Sequence, residues 1–250
     1  MISKITTKLI KSLAHKKYRL KENLFLVEGD KNISEVLQSS YKIEHLFATA
    51  AFIKSNNLSM EQVGSISEVS KDDIKKASLL INPQNSIALC KLPTDFSIPV
   101  KITDLTVYLD GVQDPGNLGT IIRICDWFGI KQLFCSPDTV DEYNPKVIQA
   151  SMGSFCRVQV QKALFHEVSE LAKKSAATIF GTYIKGNSIY TEELPQNALL
   201  VMGNEGNGIR AEIENLIEKK ISIPKFTTVA ESLNVAVATA IICSEFKRRN

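Results

Sequence analysis

Hydrophobic and polar positions alternate along this chain in blocks, and the period of each block indicates a helix or a strand. Apolar positions that recur every three to four residues predict amphipathic helices, whereas short continuous apolar runs predict buried strands. The pattern predicts strands at 24–27, 44–47, 86–92, 105–109, 132–135, 178–181, 198–202 and 221–223. It predicts helices at 3–17, 31–38, 71–80, 118–128, 145–150, 163–173, 210–218 and 233–246. This alternation predicts an α/β fold with largely parallel sheets, whose ligand sites lie at the carboxyl ends of the strands.

A segment without any period divides the chain. Residues 93–99 begin and end with proline and follow neither a helical nor a strand pattern. Prolines in such a stretch favour a linker. The sequence therefore predicts a small α/β domain at 1–95, a linker at 96–103 and a parallel-sheet domain at 104–250.

The composition is typical of a soluble globular protein, with 250 residues, 44% hydrophobic and 23% charged. The longest apolar run, 233–243, is interrupted by Asn234 and Thr239 and is shorter than the about 20 residues that a membrane-spanning helix needs. No signal peptide and no membrane association are predicted. The five cysteines are widely spaced without a Cys-x-x-Cys pair, which favours reduced thiols in the cytoplasm over disulfides or a metal site.

The net charge of +3 is unevenly distributed. Residues 1–23 contain seven Lys and Arg against one Glu, a charge of +6, while the remaining residues contain 23 Lys and Arg against 26 Asp and Glu, a charge of −3. One interpretation is a contact with a polyanion, for which Lys16, Lys17 and Arg19 are the candidate binding residues. The other is an amphipathic helix whose lysines are simply solvated, and this stretch alone favours neither.

The first of three unusual loops follows the strand at 105–109. Residues 110–117 contain two Gly, one Pro and Asn117, which suits a tight strand-to-helix turn with Asn117 as a plausible N-cap. In the helix that follows, Arg123 lies roughly 140° around from Leu118, away from the apolar stripe. An ordinary exposed arginine would show the same spacing. Its position shortly after a loop at the carboxyl end of a strand makes Arg123 a candidate for function.

The second loop follows the strand at 198–202 and contains Gly203, Gly206 and Gly208. Glycines let the backbone approach a ligand closely. However, the glycine order differs from that of dinucleotide-binding loops, and the Glu205 carboxylate would repel phosphates. A neutral or cationic ligand such as S-adenosylmethionine, which carries a sulfonium, suits the loop better. A tight turn without a ligand is the alternative.

The third loop connects the strand at 221–223 to the final helix, which is apolar almost all round and is expected to be buried. Ser232 and Asn234 stand at its amino end, beside backbone N–H groups that lack helical partners. Two polar groups at the mouth of a buried helix suit an adenosyl or ribose group. The alternative is that Ser232 is an ordinary helix cap.

Taken in order, these segments resemble the three motifs of the SpoU/TrmH family, within the SPOUT superfamily of RNA methyltransferases. The resemblance rests on Asn117 with Arg123, on Gly203-Asn204-Glu205-Gly206, and on Ile223-Pro224 followed by Ser232-Leu233-Asn234-Val235. It spans roughly residues 104 to 250. Residues 3–92, with Lys16-Lys17-Tyr18-Arg19 and Phe25-Leu26-Val27-Glu28-Gly29, more loosely resemble the ribosomal-protein-like substrate-binding domain of many members.

The family resemblance implies a deep trefoil knot in the C-terminal domain and a homodimer with its active site near the subunit interface. It also implies S-adenosylmethionine as cofactor, with no metal. The implied cofactor-binding residues are Met202, Gly203, Asn204, Gly208, Ile223 and Leu233. The implied catalytic residues are Asn117, Arg123, Glu205, Ser232 and Asn234. One departure is that Lys225 follows Pro224, where members usually have methionine, and this extra cation could meet RNA.

The function implied by the resemblance is methylation of a ribose 2′-hydroxyl in structured RNA. The separate N-terminal domain favours ribosomal RNA, with tRNA as the alternative. For Arg123 we expect stabilisation of the developing alkoxide and a contact with the adjoining phosphate, since a guanidinium pKa above about 12 makes a general base costly. Two other classes remain as alternatives: a catalytically silent RNA-binding module, and a nucleotide-dependent oxidoreductase, which the glycine order disfavours.

Overall fold

A computed structural model of the chain describes residues 1–56, 58, 63–94, 101–227, 229 and 231–249. The chain divides into two units, one formed by Met1–Asp95 with Asp141–Arg157 and the other by Phe96–Val140 with Val158–Asn250. The sequence predicted two continuous domains, so the placement of Asp141–Arg157 with the first unit is a difference. Much of the predicted linker at 96–103 lies outside the described residues.

The secondary structure follows the predicted alternation, with several additions. The elements in chain order are α1 (Lys4–Ser12), α2 (Lys16–Glu22), β1 (Leu24–Glu28), α3 (Asp30–Leu37), β2 (Ile43–Ala48), α4 (Ala50–Ser55), β3 (Ile66–Glu68), α5 (Lys71–Ala77), β4 (Ser86–Lys91), β5 (Thr106–Leu109), α6 (Pro115–Trp127), β6 (Gln132–Cys135), α7 (Pro145–Ser151), a 3₁₀ turn (Ser154–Cys156), β7 (Gln159–Lys162), α8 (Phe165–Lys174), β8 (Thr178–Ser188), β9 (Ala198–Met202), α9 (Ala211–Glu214), β10 (Lys219–Ser222) and α10 (Val235–Arg249). The pattern did not predict α4, β3 or β7. No helix within the described ranges is long and apolar enough to cross a membrane.

The first unit is built on a mixed sheet with strand order β1-β4-β2-β3. Strand β4 runs antiparallel to both β1 and β2, whereas β2 and β3 pair in parallel. The prediction of largely parallel sheets is therefore wrong for this unit. The pattern of apolar residues identifies a strand, but it does not show whether the strand paired with it runs parallel or antiparallel. This explains the error.

The predicted helix at 3–17 is two helices, and Arg19 binds the backbone at the break between them. Its guanidinium donates hydrogen bonds to the carbonyls of Leu13 and Ala14, at 2.7 and 3.0 Å. It also forms an ion pair with Asp141. Carbonyls at the end of a helix lack helical partners, and the Arg19 guanidinium supplies donors for these two where the chain turns from α1 to α2.

The segment Asp141–Arg157 completes the hydrophobic core of the first unit. The ring of Phe25 in β1 packs against Tyr143 and Phe155, with ring centroids 4.8 and 6.2 Å apart. At the end of the segment, Arg157 forms an ion pair with Glu35 in α3. These contacts join residues more than a hundred positions apart, which local periodicity cannot reveal.

The second unit is built on a sheet with strand order β10-β8-β9-β5-β6-β7, in which every neighbouring pair is parallel. The predicted parallel sheet is thus confirmed for this unit, and the trefoil knot stays a prediction. The central strands β5 and β9 are buried along their whole length. Because the strands are parallel, the loops after β5, β6, β9 and β10 all leave the same edge of the sheet, which is where the three unusual loops are found.

Candidate active site

Three loops of the second unit are joined by a short chain of hydrogen bonds. The side-chain amide of Asn117, near the start of α6, donates to Glu205 Oε1 in the loop after β9, at 2.9 Å. The amide of Asn234, at the start of α10, donates to Asn117 Oδ1 at 2.9 Å. The sequence placed these residues in three separate segments, and the fold brings them together into one polar network. Glu205 and Asn234 are exposed and Asn117 is half-buried, so a substrate can reach the network.

The Asn117 amide is available for this network because another residue caps the helix. Asp114 is the N-cap of α6, and its carboxylate accepts a hydrogen bond from the Asn117 backbone N–H at 2.8 Å. The prediction that Asn117 is the N-cap is therefore wrong. Pro115 occupies the first position of the helix, where its fixed φ is favourable, and this sets the cap at the residue before it.

The glycine loop is closed upon itself by backbone hydrogen bonds. The N–H groups of Asn204 and Gly208 each donate to the other residue's carbonyl, at 2.9 and 3.0 Å. The Asn204 side chain accepts from the backbone N–H of Gly206 at 2.9 Å and donates to the Gly111 carbonyl at 2.6 Å. A Cβ on Gly203 would lie 2.4 Å from the Gly208 carbonyl carbon. Gly203 is thus required by the loop's own backbone, whereas the glycine pattern alone suggested close approach of a ligand as the reason.

Asn234 also sets the beginning of α10. Its Oδ1 accepts hydrogen bonds from the backbone N–H groups of Ala236 and Val237, at 2.9 and 3.3 Å. Asn234 is therefore the residue that caps α10, and Ser232 lies two residues before it with an exposed side chain. The expectation that this helix is buried all round is wrong, because Val237 is 49% exposed. Its apolar residues leave one side of the helix uncovered in the single chain.

Arg123 is exposed on α6, six residues after Asn117 and so about 9 Å further along the helix axis. Within the described residues, no hydrogen bond or ion pair engages its guanidinium. Side chains on an α-helix tilt toward its N-terminus, which here is the end that carries Asn117. The Arg123 side chain is therefore directed toward that end of α6, about 120° around the helix axis from Asn117, and its charge is free to bind an anionic group.

The six residues predicted to bind the cofactor lie at the same edge of the sheet. Met202 is buried at the end of β9, while Gly203, Asn204 and Ile223 are half-buried. Gly208 is exposed, and Leu233 is 51% exposed. An exposed leucine suits an adenine or ribose surface, and the Glu205 carboxylate suits a cationic group. This donor set fits S-adenosylmethionine, since it combines apolar contact and backbone groups with a negative charge.

The three predicted RNA-binding residues belong to the first unit, and they differ in exposure. Lys16 and Lys17 are exposed at the start of α2. Arg19 is only 2% exposed, with its guanidinium held by Asp141 and two carbonyls. The prediction of an RNA contact at Arg19 is therefore not supported, because a phosphate could bind there only by displacing the buried ion pair.

Two charged residues near the site were missed by the sequence analysis. Asp110 follows β5 with its carboxylate fully buried, and Arg210, just after the glycine loop, forms an ion pair with it. Hydrogen bonding to Asp110 raises the pKa of Arg210, so this side chain stays charged. Asp110 could have been identified from the sequence, because it is a carboxylate directly after a buried strand. No local sequence pattern identifies Arg210 as its partner.

Comparison with known proteins gives matches over both units of the chain. Residues 104–244 match the SpoU rRNA Methylase family, and residues 4–88 match the MRM3-like substrate binding domain. A 23S rRNA (guanosine(2553)-2′-O)-methyltransferase, RlmP, from Bacillus subtilis is 32% identical over 93% of this chain and 92% of its own length. A structure described as a putative RNA methyltransferase of the TrmH family, from Porphyromonas gingivalis, is 38% identical, with a TM-score of 0.90 over all of both chains. An AdoMet-bound rRNA methyltransferase from Sinorhizobium meliloti is 27% identical, with a TM-score of 0.85 over 100% of this chain and 97% of that one.

The family match covers more than half of the chain and contains all three loops of the candidate site. Near-complete coverage of the Bacillus subtilis relative and of both solved structures includes the first unit as well. This chain therefore belongs to the SpoU rRNA methylase family of the SPOUT superfamily.

Proposed function

We propose that this protein methylates the 2′-hydroxyl of a ribose in ribosomal RNA. The observation that carries the proposal is the network of Asn117, Glu205 and Asn234, with Arg123 exposed on the same helix as Asn117. S-adenosylmethionine supplies the sulfonium methyl group when bound. The Bacillus subtilis and Sinorhizobium meliloti proteins are both rRNA methyltransferases by name, which supports rRNA over tRNA as the substrate.

Arg123 provides positive charge where the reaction generates negative charge. The ribose hydroxyl becomes an alkoxide as it attacks, and an arginine beside it stabilises that charge without losing its own proton. Its planar donors can at the same time bind the adjoining phosphate. We therefore assign Arg123 the stabilisation of the alkoxide and the clamping of the phosphate.

The amide network positions the groups around the reacting hydroxyl. Asn117 is held on both sides, by Glu205 as acceptor and Asn234 as donor, so its orientation is fixed before substrate arrives. Ser232 lies next to this network in sequence, with an exposed side chain. Such preorganisation removes the cost of orienting polar groups at the moment of reaction.

The proposal is tested by mapping ribose methylation in RNA from a strain that lacks the gene. One 2′-O-methylated nucleotide of rRNA should be lost and should return with the wild-type gene. Purified protein should then methylate that rRNA when given S-adenosylmethionine. Loss of a methyl group in tRNA instead would show that tRNA is the substrate. An unchanged methylation map, together with no methyl transfer in vitro, would indicate a catalytically silent RNA-binding module.

The exposed lysines of α2 should act as an electrostatic contact with RNA. Replacing Lys16 and Lys17 together with alanine should weaken RNA binding and flatten the plot of log affinity against log salt. Each lost phosphate contact should change the slope by about 0.7 to 0.9. Affinity measured by fluorescence anisotropy at several salt concentrations gives this slope, with S-adenosylmethionine binding unaffected.

Lys75 and Lys76 of α5 supply a matched control, since they are also adjacent exposed lysines in the first unit. The double alanine variant at these positions should leave the slope unchanged. If both pairs change the slope equally, net charge rather than a defined contact governs RNA binding. If neither pair changes the slope, the lysines of α2 are simply solvated and do not contact RNA.

We propose further that the protein is a homodimer that buries the outer sides of α6 and α10. These two helices pack against each other, and they leave Trp127 84% exposed and Val237 49% exposed. Large apolar side chains exposed on two helices that pack against each other are typical of a protein interface. Both helices begin in the candidate site, so a partner seated here would lie close to it.

Trp127→Glu should therefore convert a dimer to a monomer, because a carboxylate would be buried in an apolar interface. Light scattering coupled to size-exclusion chromatography measures the mass directly. Ile184→Glu is the control, since Ile184 is also largely exposed but lies on β8. A wild-type protein that elutes as a monomer at micromolar concentration would contradict the proposal.

The cytoplasm is the compartment that we propose for this enzyme. A bacterial rRNA methyltransferase is similar to it over nearly its whole length, and rRNA is the proposed substrate. The widely spaced cysteines suit a reducing compartment.

A further inference from the structure

At the base of the candidate site, the buried carboxylate of Asp110 forms an ion pair with the partly exposed Arg210, and neither side chain belongs to the Asn117–Glu205–Asn234 network. Asp110, at the carboxyl end of β5, is only 1% exposed. The backbone N–H and the Nε of Arg210 donate to its two carboxylate oxygens, at 2.8 and 2.6 Å. The Nη2 of the same arginine also donates to Asp138 Oδ1 at 3.0 Å.

This pair connects the two loops that carry the network. Asp110 begins the segment that leads to Asn117, and Arg210 follows the loop that contains Glu205. A further hydrogen bond, from the Asn204 amide to the Gly111 carbonyl, crosses between the same two loops at 2.6 Å. The loops are thus joined at their bases by Asp110 and Arg210 and at their outer ends by Asn117 and Glu205.

The chemistry of the pair makes it a specific connection. A buried carboxylate without a compensating charge is strongly unfavourable, so Asp110 holds Arg210 in place. The planar guanidinium contacts Asp110 through both Nε and Nη2, and Nη2 also donates to Asp138, which fixes its orientation. A lysine ammonium could compensate the charge but could not reproduce this geometry. The position of the glycine loop relative to the loop of Asn117 therefore depends on an arginine at this place.

We infer that Arg210 is a positioning residue for methyl transfer, which acts by holding Asp110 and thereby setting the position of Glu205 against Asn117. The inference rests on the proposed function. Arg210 lies outside the set of residues predicted from the family motifs, and no direct contact with substrate is required of it. Its effect on the reaction passes through the hydrogen bond between Asn117 and Glu205.

A double-mutant cycle tests this coupling. Arg210→Lys keeps the charge opposite Asp110 and should lower kcat about 10-fold or more, because small displacements of aligned groups are costly. Glu205→Ala should lower kcat by removing the acceptor of the Asn117 hydrogen bond. The double variant should be no slower than the slower single variant, since Arg210 acts through Glu205. Arg248→Lys, which alters an arginine–carboxylate pair on α10, is the control and should leave kcat unchanged.

A second measurement does not depend on activity. The side-chain amide signals of Asn117 in a ¹⁵N NMR spectrum should shift in Arg210→Lys and in Glu205→Ala, but not in Arg248→Lys. A structural role alone would lower the melting temperature of Arg210→Lys and leave kcat and the Asn117 signals unchanged, which would overturn the inference. Additive effects on kcat in the double variant would also overturn it.

Failure of the proposed function gives a different result. In that case the wild-type protein transfers no methyl group to any rRNA, and the Asn117 signals alone decide whether Arg210 sets the position of the loops. If the wild-type protein is active and the two substitutions act independently, the proposed function stands and only the positioning role is lost.

Discussion

Replacing Arg123 with alanine should slow methyl transfer to the ribose by about 100-fold or more, a range typical for removing one donor to a developing oxyanion. Affinity for S-adenosylmethionine should stay within a few-fold of the wild type. The reason is that the guanidinium is exposed and without a partner among the described residues, so it contributes to neither the core nor the loop network. Arg123→Lys should recover only part of the rate, because an ammonium cannot contact alkoxide and phosphate with planar donors.

Single-turnover assays with saturating cofactor measure the chemical step, and calorimetry measures cofactor affinity. Arg248→Ala removes another exposed arginine of the second unit and should leave both quantities unchanged. If cofactor affinity collapses together with activity in Arg123→Ala, Arg123 is a cofactor or folding residue, and the role assigned to it is wrong.

Gly203→Val should abolish measurable S-adenosylmethionine binding or weaken it by at least about 100-fold. A Cβ at this position would lie 2.4 Å from the Gly208 carbonyl carbon and 2.6 Å from the Ile209 nitrogen. Both are backbone atoms that cannot rotate away, so the loop must open. Opening it would break the paired hydrogen bonds between Asn204 and Gly208 and would displace Glu205 from Asn117.

Gly206→Ala is the matched control within the same loop. Its Cβ would lie 3.6 Å from Asn204 Oδ1, an ordinary contact, so affinity should remain within a few-fold. Calorimetry and thermal unfolding on both variants separate loop distortion from global unfolding. A folded Gly203→Val variant with unchanged affinity would remove this loop from the cofactor site.

The sequence by itself determined the elements that local periodicity controls. The strands at 132–135 and 198–202 were predicted at both of their bounds. The parallel sheet of the second unit followed from the alternation of strands and helices, because parallel strands are joined by crossover connections that are usually helical. The order of the three loops also identified the family, since glycine, proline and capping residues act locally on the chain.

The tertiary structure decided what depends on residues distant in sequence. The burial of Arg19 required Asp141, and the core around Phe25 required Tyr143 and Phe155. The direction of β4 against β1 and β2 had no local signal either. These errors share one cause. The charge and the hydrophobic periodicity of a segment can be read from its own residues, whereas its burial and its strand pairing depend on which distant segment packs against it.

The candidate site shows the same division. Asn117, Glu205 and Asn234 could each be selected from their own loop, but only the fold joined them by hydrogen bonds. The pair of Asp110 and Arg210 was invisible to the sequence because its partners lie a hundred residues apart. Local sequence selects the residue types that a site needs, while the shared edge of a parallel sheet brings them within hydrogen-bonding distance.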